Sequence, residues 1–397
     1  MQAVVIAWTA AAVTLFYSLW AIAFALLFIA YFQIPMDCPS ARVTLILAAT
    51  GPLPGLEELL TALTAQSLAP HKLIIVVESP EDPAYTRVAA IAGHYAQLNI
   101  TLVVAGLSPL RSQKCTNLLA ALRHLDADDA YVVLLDADIR PQAWWLAALV
   151  APLAAGRADV VNGYRWPVPT AFSLAVALVA GIDRAVAVLP RLPSTRPTWG
   201  GSLALTRRAV EILDLPNTIN HTLTEDLPIG DRAAETGLRV LMRCAIRPLT
   251  PLSGSFFGLW RFARRQCQLV RLYRPGLWRF AAFIVTTDLL ARIALLPAAA
   301  ISGVALAAII AVAALGSITA EIRLAVGRKL GAADGIGFRL VQHLFIWMVL
   351  PAAAFTVSVI WGGFVTSTVD WAHIRYLVDR TGRVIEVIRR PYSDQSS

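Results

Sequence analysis

Three stretches of the chain carry almost no polar position, and between the first and second the pattern alternates on a much shorter scale. Residues 3–33 run without charge from Ala3 through Phe32, with Trp8, Tyr17, Trp20 and Tyr31 as interfacial rings. This exceeds the roughly 20 residues needed to span a bilayer. It also lacks the basic start and short apolar core of a cleaved signal peptide. The pattern predicts a permanent membrane anchor, with Pro35 and Pro39 marking the exit from it. A second apolar block begins near Leu277, and residues 280–317 are long enough for two helices turning near Pro297. Asp288 and Arg292 stand four apart inside it, where such residues pair or face protein. The third block, residues 340–365, is broken by Pro351.

From Arg42 onward, short apolar runs alternate with helical patterns. Residues 43–49, 73–77, 100–105 and 131–135 read as buried strands, with helices over 56–66 and 117–125. Strands alternating with helices predict βαβ units and a largely parallel sheet. Such sheets bind ligands at the carboxyl ends of their strands. Residues 172–180 are apolar but stop at Asp183-Arg184, too short to span. A lipid contact at the interface and a buried core helix are both open readings of that segment.

Composition sharpens this picture. Of 397 residues, 57% are hydrophobic and only 15% charged, against roughly 25% in soluble domains. A mean hydropathy of +0.62 excludes an ordinary cytosolic enzyme and a disordered scaffold. Most acidic groups fall in residues 36–279, so a membrane protein carrying a folded α/β domain is expected. Net charge is +8, with three lysines (Lys72, Lys114, Lys329) and arginine supplying the rest. The arginines cluster beside the apolar segments, which fits membrane flanks and argues against nucleic acid as a partner. Cys38, Cys115, Cys244 and Cys267 lack CxxC spacing and read as reduced thiols. The stretch with Arg323, Arg328, Lys329 and Arg339 reads as a cytoplasmic loop, and the tail with Arg375, Arg380, Arg383, Arg389 and Arg390 as a cytoplasmic end. Residues 340–365 must then lie in the interface or re-enter.

Three segments carry candidate chemistry. In Leu134-Leu135-Asp136-Ala137-Asp138-Ile139-Arg140 a buried strand ends in two acids one apart. Such a pair can hold a hard divalent cation that clamps a diphosphate, or it is simply a polar loop. Thr224-Glu225-Asp226-Leu227 follows a Gly-rich strand, Trp199-Gly200-Gly201-Ser202-Leu203. Acids at a helix start favour the dipole, and the order of these motifs adds a catalytic reading with Asp226 as general base. In residues 261–274, RFARRQCQLVRLYR, helical spacing puts Arg264, Gln268 and Arg271 on one face, and Arg261 and Arg265 on another. That segment reads as an amphipathic helix on lipid headgroups, or as an arginine set for a leaving diphosphate. His221 near Asp226 reads as a structural histidine.

With these residues in place, the sequence resembles the family 21 branch of membrane glycosyltransferases, kin of family 2. That branch includes ceramide glucosyltransferases and bacterial hopanoid-biosynthesis glycosyltransferases. The resemblance covers about residues 40–280 plus a tail motif. Val77-Glu78-Ser79-Pro80-Glu81-Asp82-Pro83 resembles the first acidic signature, VxDxxDP, with Ser79 where the nucleotide-contacting Asp is expected. Glu78 or Asp82 would have to substitute for it. Gln113-Lys114-Cys115-Thr116-Asn117 resembles the Pro-Lys-x-Asn-Asn stretch, which makes Lys114 a nucleotide-sugar contact. The resemblance implies metal and diphosphate binding at Asp136 and Asp138. It makes Asp226 the base toward the acceptor hydroxyl, with Glu225 beside it as a substrate contact. Gln268-Leu269-Val270-Arg271-Leu272 matches (Q/R)xxRW with Leu in place of Trp, and Arg265 opens an alternative register. Asp370-Trp371-Ala372-His373-Ile374-Arg375-Tyr376 resembles a W-R-x-x-R-Y segment, followed by a hairpin-like 378–384.

The resemblance therefore implies an α/β, GT-A-type catalytic domain with an N-terminal membrane helix and a C-terminal membrane or interfacial helical region. The expected organisation is an anchor over 1–35, the catalytic domain over 36–256 and an amphipathic interfacial helix over 257–279. Membrane helices over 280–366 and a cytoplasmic tail over 367–397 complete it. The implied activity is inverting transfer of glucose or N-acetylglucosamine from a UDP-sugar to a lipid hydroxyl, with Mg²⁺ or Mn²⁺, on the cytoplasmic side of a bacterial inner membrane. A polysaccharide synthase, which needs more spanning helices and the missing Trp, ranks lower. So does a catalytically silent subunit, and a transporter ranks last.

Overall fold

In the computed structural model, which describes residues 2–34, 40–190, 198–347 and 349–392, the chain forms two units. Pro35, Cys38 and Pro39 lie outside the described residues. One unit joins Phe32–Trp166, Arg191–Pro251 and Ser367–Ser397; the other joins Met1–Tyr31, Pro167–Pro190 and Leu252–Thr366.

The first unit is built on a mixed seven-stranded sheet. Its strands are β1 (Val43–Ala48), β2 (Lys72–Val77), β3 (Ile100–Val104), β4 (Tyr131–Leu135), β5 (Val160–Asn162), β7 (Ser202–Thr206) and β8 (Val240–Met242). β6 (Trp166–Pro169) and β9 (Leu249–Leu252) lie outside this sheet. The order is β3-β2-β1-β4-β7-β5-β8, and only β7 runs antiparallel to its neighbours. Helices cover both faces, so the strands are continuous apolar runs rather than alternating ones. One face buries Leu45, Leu47, Leu73, Ile75 and Val133 against Leu56, Leu59, Leu60 and Leu63 of helix Leu56–Thr64. The other buries Ile46, Ile74, Val76, Val132 and Leu134 against Leu118 and Ala121 of helix Gln113–Leu122. Each fully buried leucine of this kind stabilises the fold by about 2 kcal/mol relative to an exposed one. The predicted strands and their crossover helices are all present, with ends shifted by a few residues.

The crossovers β1–β2–β3 lie on one face and the β3–β4 crossover on the other, so the winding reverses between β1 and β4. A doubly wound sheet opens its ligand crevice at such a reversal, beyond the carboxyl ends of the strands. Asp136 is the first residue after β4. The tail, read as a basic end with a hairpin-like stretch, folds as a three-stranded antiparallel sheet. Its strands are β10 (Thr368–Trp371), β11 (Ile374–Val378) and β12 (Val384–Arg389), with Val369, Ile374, Tyr376, Val378 and Val384 buried.

The second unit is helical. Val4–Ala30, Pro275–Ala299 and Gly303–Lys329 are each long and apolar enough to cross a membrane. They pack through small residues, among them Ala7, Ala10, Ala11, Ala298, Ala305 and Ala308. Small side chains let such helices approach closely where no hydrophobic force separates protein from lipid. Arg292 Nε meets Asp288 Oδ2 at 2.7 Å, the pairing their spacing predicts.

The turn falls at residues 300–302, just past Pro297, which sits inside the end of helix Pro275–Ala299. One expectation needs correction. Arg323, Arg328 and Lys329 lie within the long helix Gly303–Lys329 rather than in a loop, and Arg339 lies in helix Ile336–Trp347. Both helices extend beyond the apolar block of residues 280–317, the first starting at Pro275 and the second ending at Lys329. Residues 340–365 fall in two short helices, Ile336–Trp347 and Val349–Gly362.

Candidate active site

Lys114 is the hub of the α/β unit's crevice. Ser112 caps helix Gln113–Leu122 by accepting from Cys115 N at 3.2 Å, which fixes the first turn that carries Lys114. From there its Nζ donates to Asp136 Oδ1 at 2.7 Å and lies 2.7 Å from Glu225 Oε1. Burial alone would pull the ammonium down, but the two carboxylates outweigh it and hold its pKa well above the lysine range. Glu225 is buried, and burial pushes its pKa up, with Lys114 opposing and Asp226 and Asp136 adding to the rise.

The Gly200-Gly201 pair makes this convergence possible. A Cβ on Gly200 would lie 1.9 Å from Glu225 Oε1, and one on Gly201 would lie 2.6 Å from Asp136 Oδ2. The Glu225 carboxylate fills the side-chain space at Gly200, and at Gly201 the Trp199 ring, 2.2 Å from a Cβ there, fills it together with the Asp136 carboxylate. Gly200 N in turn donates to Asp226 Oδ2 at 3.2 Å. Asp226 opens helix Asp226–Glu235, and its Oδ1 accepts from Thr224 Oγ1 and Leu227 N, each at 2.7 Å. Thr198 Oγ1 fixes the Asp226 carbonyl at 2.7 Å. Each carboxylate oxygen carries two lone pairs, so these contacts aim Asp226 without exhausting it.

Asp138 is open to solvent yet sits in a crowded cleft. Desolvation by the protein crowded around it and then repulsion from Asp136 push its pKa up, and Arg165 offsets part of this. Two hard oxygen donors in this state suit a divalent cation, which would relieve the excess negative charge. Among the described residues one further group has metal-like spacing, His71, Asp126 and Asp129. It lies at the opposite end of the strands, and Asp126 is already paired with Lys72 at 3.3 Å and Arg42 at 3.6 Å.

The remaining sequence candidates are placed differently. Glu78, at the end of β2, is buried, and its Oε1 accepts from His373 Nε2 at 2.6 Å and from the Tyr392 hydroxyl. Arg389 Nε lies 3.7 Å from its Oε2. Asp82 caps helix Pro83–Ile91 through Ala84 N at 2.9 Å and also holds Gly51 N at 2.8 Å. Gln268, Arg271 and Arg265 lie on helix Phe256–Tyr273 of the helical unit. Within it, buried Gln268 donates to Thr366 O at 3.0 Å, Arg271 lies 5.8 Å from the Phe364 ring, and Arg265 lies 5.6 Å from the Phe262 ring. His221 is structural: its backbone is left-handed and its Nδ1 meets Leu110 O at 3.1 Å. Sequence reasoning missed His373, Arg389 and Tyr392 as partners of Glu78. The tail motif that contains His373 was the one available signal.

An acid pair at a sheet's switch point, a lysine bridging it to a second acid pair and glycines beside both make up the candidate site. The chain matches the model for glycosyl transferase family 21 over residues 6–384, belongs to that family and is a glycosyltransferase. Among solved structures it is similar to a mannosyltransferase from Pyrobaculum calidifontis in complex with GDP-Man and Mn²⁺. The identity is 19%, covering 91% of this chain and 98% of that one, with a TM-score of 0.48. It is also similar to glucosyl-3-phosphoglycerate synthase from Mycobacterium tuberculosis in complex with phosphoglyceric acid. There the identity is 16%, covering 58% of this chain and 79% of that one, with a TM-score of 0.38. No curated protein matches the chain.

Proposed function

We propose that the protein is a membrane-bound inverting glycosyltransferase that moves a hexose, glucose or N-acetylglucosamine, from a UDP-sugar to the hydroxyl of a ceramide-like or hopanoid-like lipid. The observation that carries this reading is the convergence of Lys114, Asp136, Glu225 and Asp226 beyond the strand ends. Asp226, aimed by Thr224 and Gly200, takes the proton from the acceptor hydroxyl as it attacks the anomeric carbon. Lys114 presents a cation to the donor phosphates. Asp136 and Asp138 would hold Mg²⁺ or Mn²⁺, which would neutralise charge on the leaving diphosphate. Holding both substrates in one site removes much of the entropic barrier.

A lipid acceptor is supported by three apolar helices of spanning length. It is also supported by an apolar cleft of about 230 Å³ in the helical unit, lined by Phe172, Val176, Ala177 and Phe338 among others. The roles that the resemblance gives to Gln268, Arg271 and Arg265, and a cytoplasmic catalytic face, belong to this proposal as well.

The test is UDP release by detergent-purified protein from a panel of UDP-sugars with Mn²⁺ and a lipid extract, alongside Asp226→Asn. Lipid-dependent release lowered by roughly 10²–10⁴-fold in Asp226→Asn is expected. Binding of UDP without release from any donor would instead point to a silent subunit.

A further inference from the structure

The tail sheet touches three loops of the α/β unit, and each of them carries a candidate site residue. At the end of β2, His373 Nε2 and the Tyr392 hydroxyl both engage Glu78 Oε1, and the His373 and Tyr392 rings pack 4.2 Å apart. At the start of helix Gln113–Leu122, the Tyr376 hydroxyl accepts from Gln113 N at 3.0 Å. Arg389 Nη2 donates there to Gln113 Oε1 at 2.8 Å and to Ser108 O at 3.1 Å. Before Glu225, Val384 N donates to His221 O at 2.8 Å, and Arg383 bridges to Thr222. Gln113 directly precedes Lys114, whose Nζ lies 6.0 Å from the centroid of the Trp371 ring.

We infer that residues 367–392 are a brace that positions the donor site, with Glu78 serving as its anchor and His373 as its positioning residue. This deepens, and rests on, the reading of the crevice as a nucleotide-sugar site. The physical reason lies in what the brace joins. Lys114 and Glu225 form a 2.7 Å ion pair from two different loops, and the brace is fastened to both. Its own core of Val369, Ile374, Tyr376, Val378 and Val384 makes it a folded element rather than a loose end. His373 and Arg389 also compensate the Glu78 carboxylate, which would otherwise stand as a buried negative charge beside the path of an anionic donor.

The test uses the full-length protein. His373→Phe keeps the ring beside Tyr392 but loses the nitrogen that meets Glu78, whereas His373→Gln keeps a donor there. His373→Phe should raise the donor KM and the dissociation constant for UDP with Mn²⁺ about tenfold, with kcat and acceptor KM changed by less than about threefold. His373→Gln should restore both to within about threefold. Wild-type UDP affinity in His373→Phe, with only a lower unfolding temperature, would overturn the inference. Should His373→Phe fail to fold, Tyr376→Phe removes one hydroxyl and leaves Gln113 N unpaired. Amide exchange over residues 113–122 should then accelerate by about tenfold. Unchanged exchange there counts against the brace even if the protein turns out to bind no UDP.

Discussion

Replacing Gly200 by alanine puts a methyl group 1.9 Å from Glu225 Oε1 and 3.4 Å from Lys114 Nζ. The carboxylate must retreat by about 1.5–2 Å to reach an ordinary van der Waals separation. It has little room to do so, since Glu225 is 1% exposed. The 2.7 Å contact with Lys114 therefore opens. Forcing a methyl into packed space costs about 1–3 kcal/mol, and misplacing a site group by 1 Å costs on the order of 10²-fold in rate. Gly200→Ala should thus lose roughly 100-fold in turnover. It should also lose a few degrees in unfolding temperature, at about 2–4 °C per kcal/mol for a unit of this size. Gly93→Ala is the control, because a Cβ there meets nothing within 4 Å. UDP release and thermal unfolding measured on the three proteins decide the matter. A Gly200→Ala enzyme with wild-type turnover would refute the crowding argument, as would an equal loss in Gly93→Ala.

Stripping divalent cations should abolish transfer, with Mn²⁺ or Mg²⁺ restoring it. Asp138→Asn should raise the Mn²⁺ needed for half-maximal activity by on the order of 10- to 100-fold, read from a metal titration. Glu78 sits below its ordinary 4.5: burial alone would raise it, but hydrogen bonds from His373 and Tyr392, with the charges of His373 and Arg389, win. A depressed carboxylate stabilises the fold above its unfolded pKa and loses that contribution as pH falls through the folded one. Glu78→Gln should therefore lose less stability than wild type between about pH 5 and pH 3, and an equal loss in acid unfolding would contradict it. In the helical unit, Arg184 holds Asp334 in two contacts of 2.8 and 2.7 Å and is 2% exposed. Asp334→Ala should cost about 3–5 kcal/mol by taking the carboxylate from a buried guanidinium, and joint replacement by Arg184→Met and Asp334→Leu should recover most of it in thermal denaturation.

The parts of this protein that were legible in its sequence are those whose cause is local. β4 is bounded at Tyr131 and Leu135 as its apolar run predicts, because a strand covered on both faces must be apolar throughout. Its two acids lie where a parallel strand ends, whereas only the structure supplies what crowds Gly200 and Gly201, the Glu225 and Asp136 carboxylates and the Trp199 ring. What was not legible depends on distant partners. Glu78 was named as a substitute for the signature Asp that Ser79 replaces, and its carboxylate meets His373, 295 positions away. Asp82 matched the same signature and turns out to cap a helix. The arginines at 323 and 328 looked like a loop because charge is rare in apolar helices. Local pattern does not show that a span of 27 residues carries its last turns past the apolar block.

The tail's place in the fold has a consequence for how the enzyme is born. Residues 367–392 belong to the same unit as residues 32–166, but the ribosome makes the long apolar helices of residues 252–366 between them. The α/β unit thus leaves the ribosome unfinished, with Glu78 still lacking His373, Arg389 and Tyr392. It is completed only after the last long apolar helix has been synthesised. Biosynthetic order alone then keeps a nascent chain from completing this unit before the apolar helices Pro275–Ala299 and Gly303–Lys329 exist.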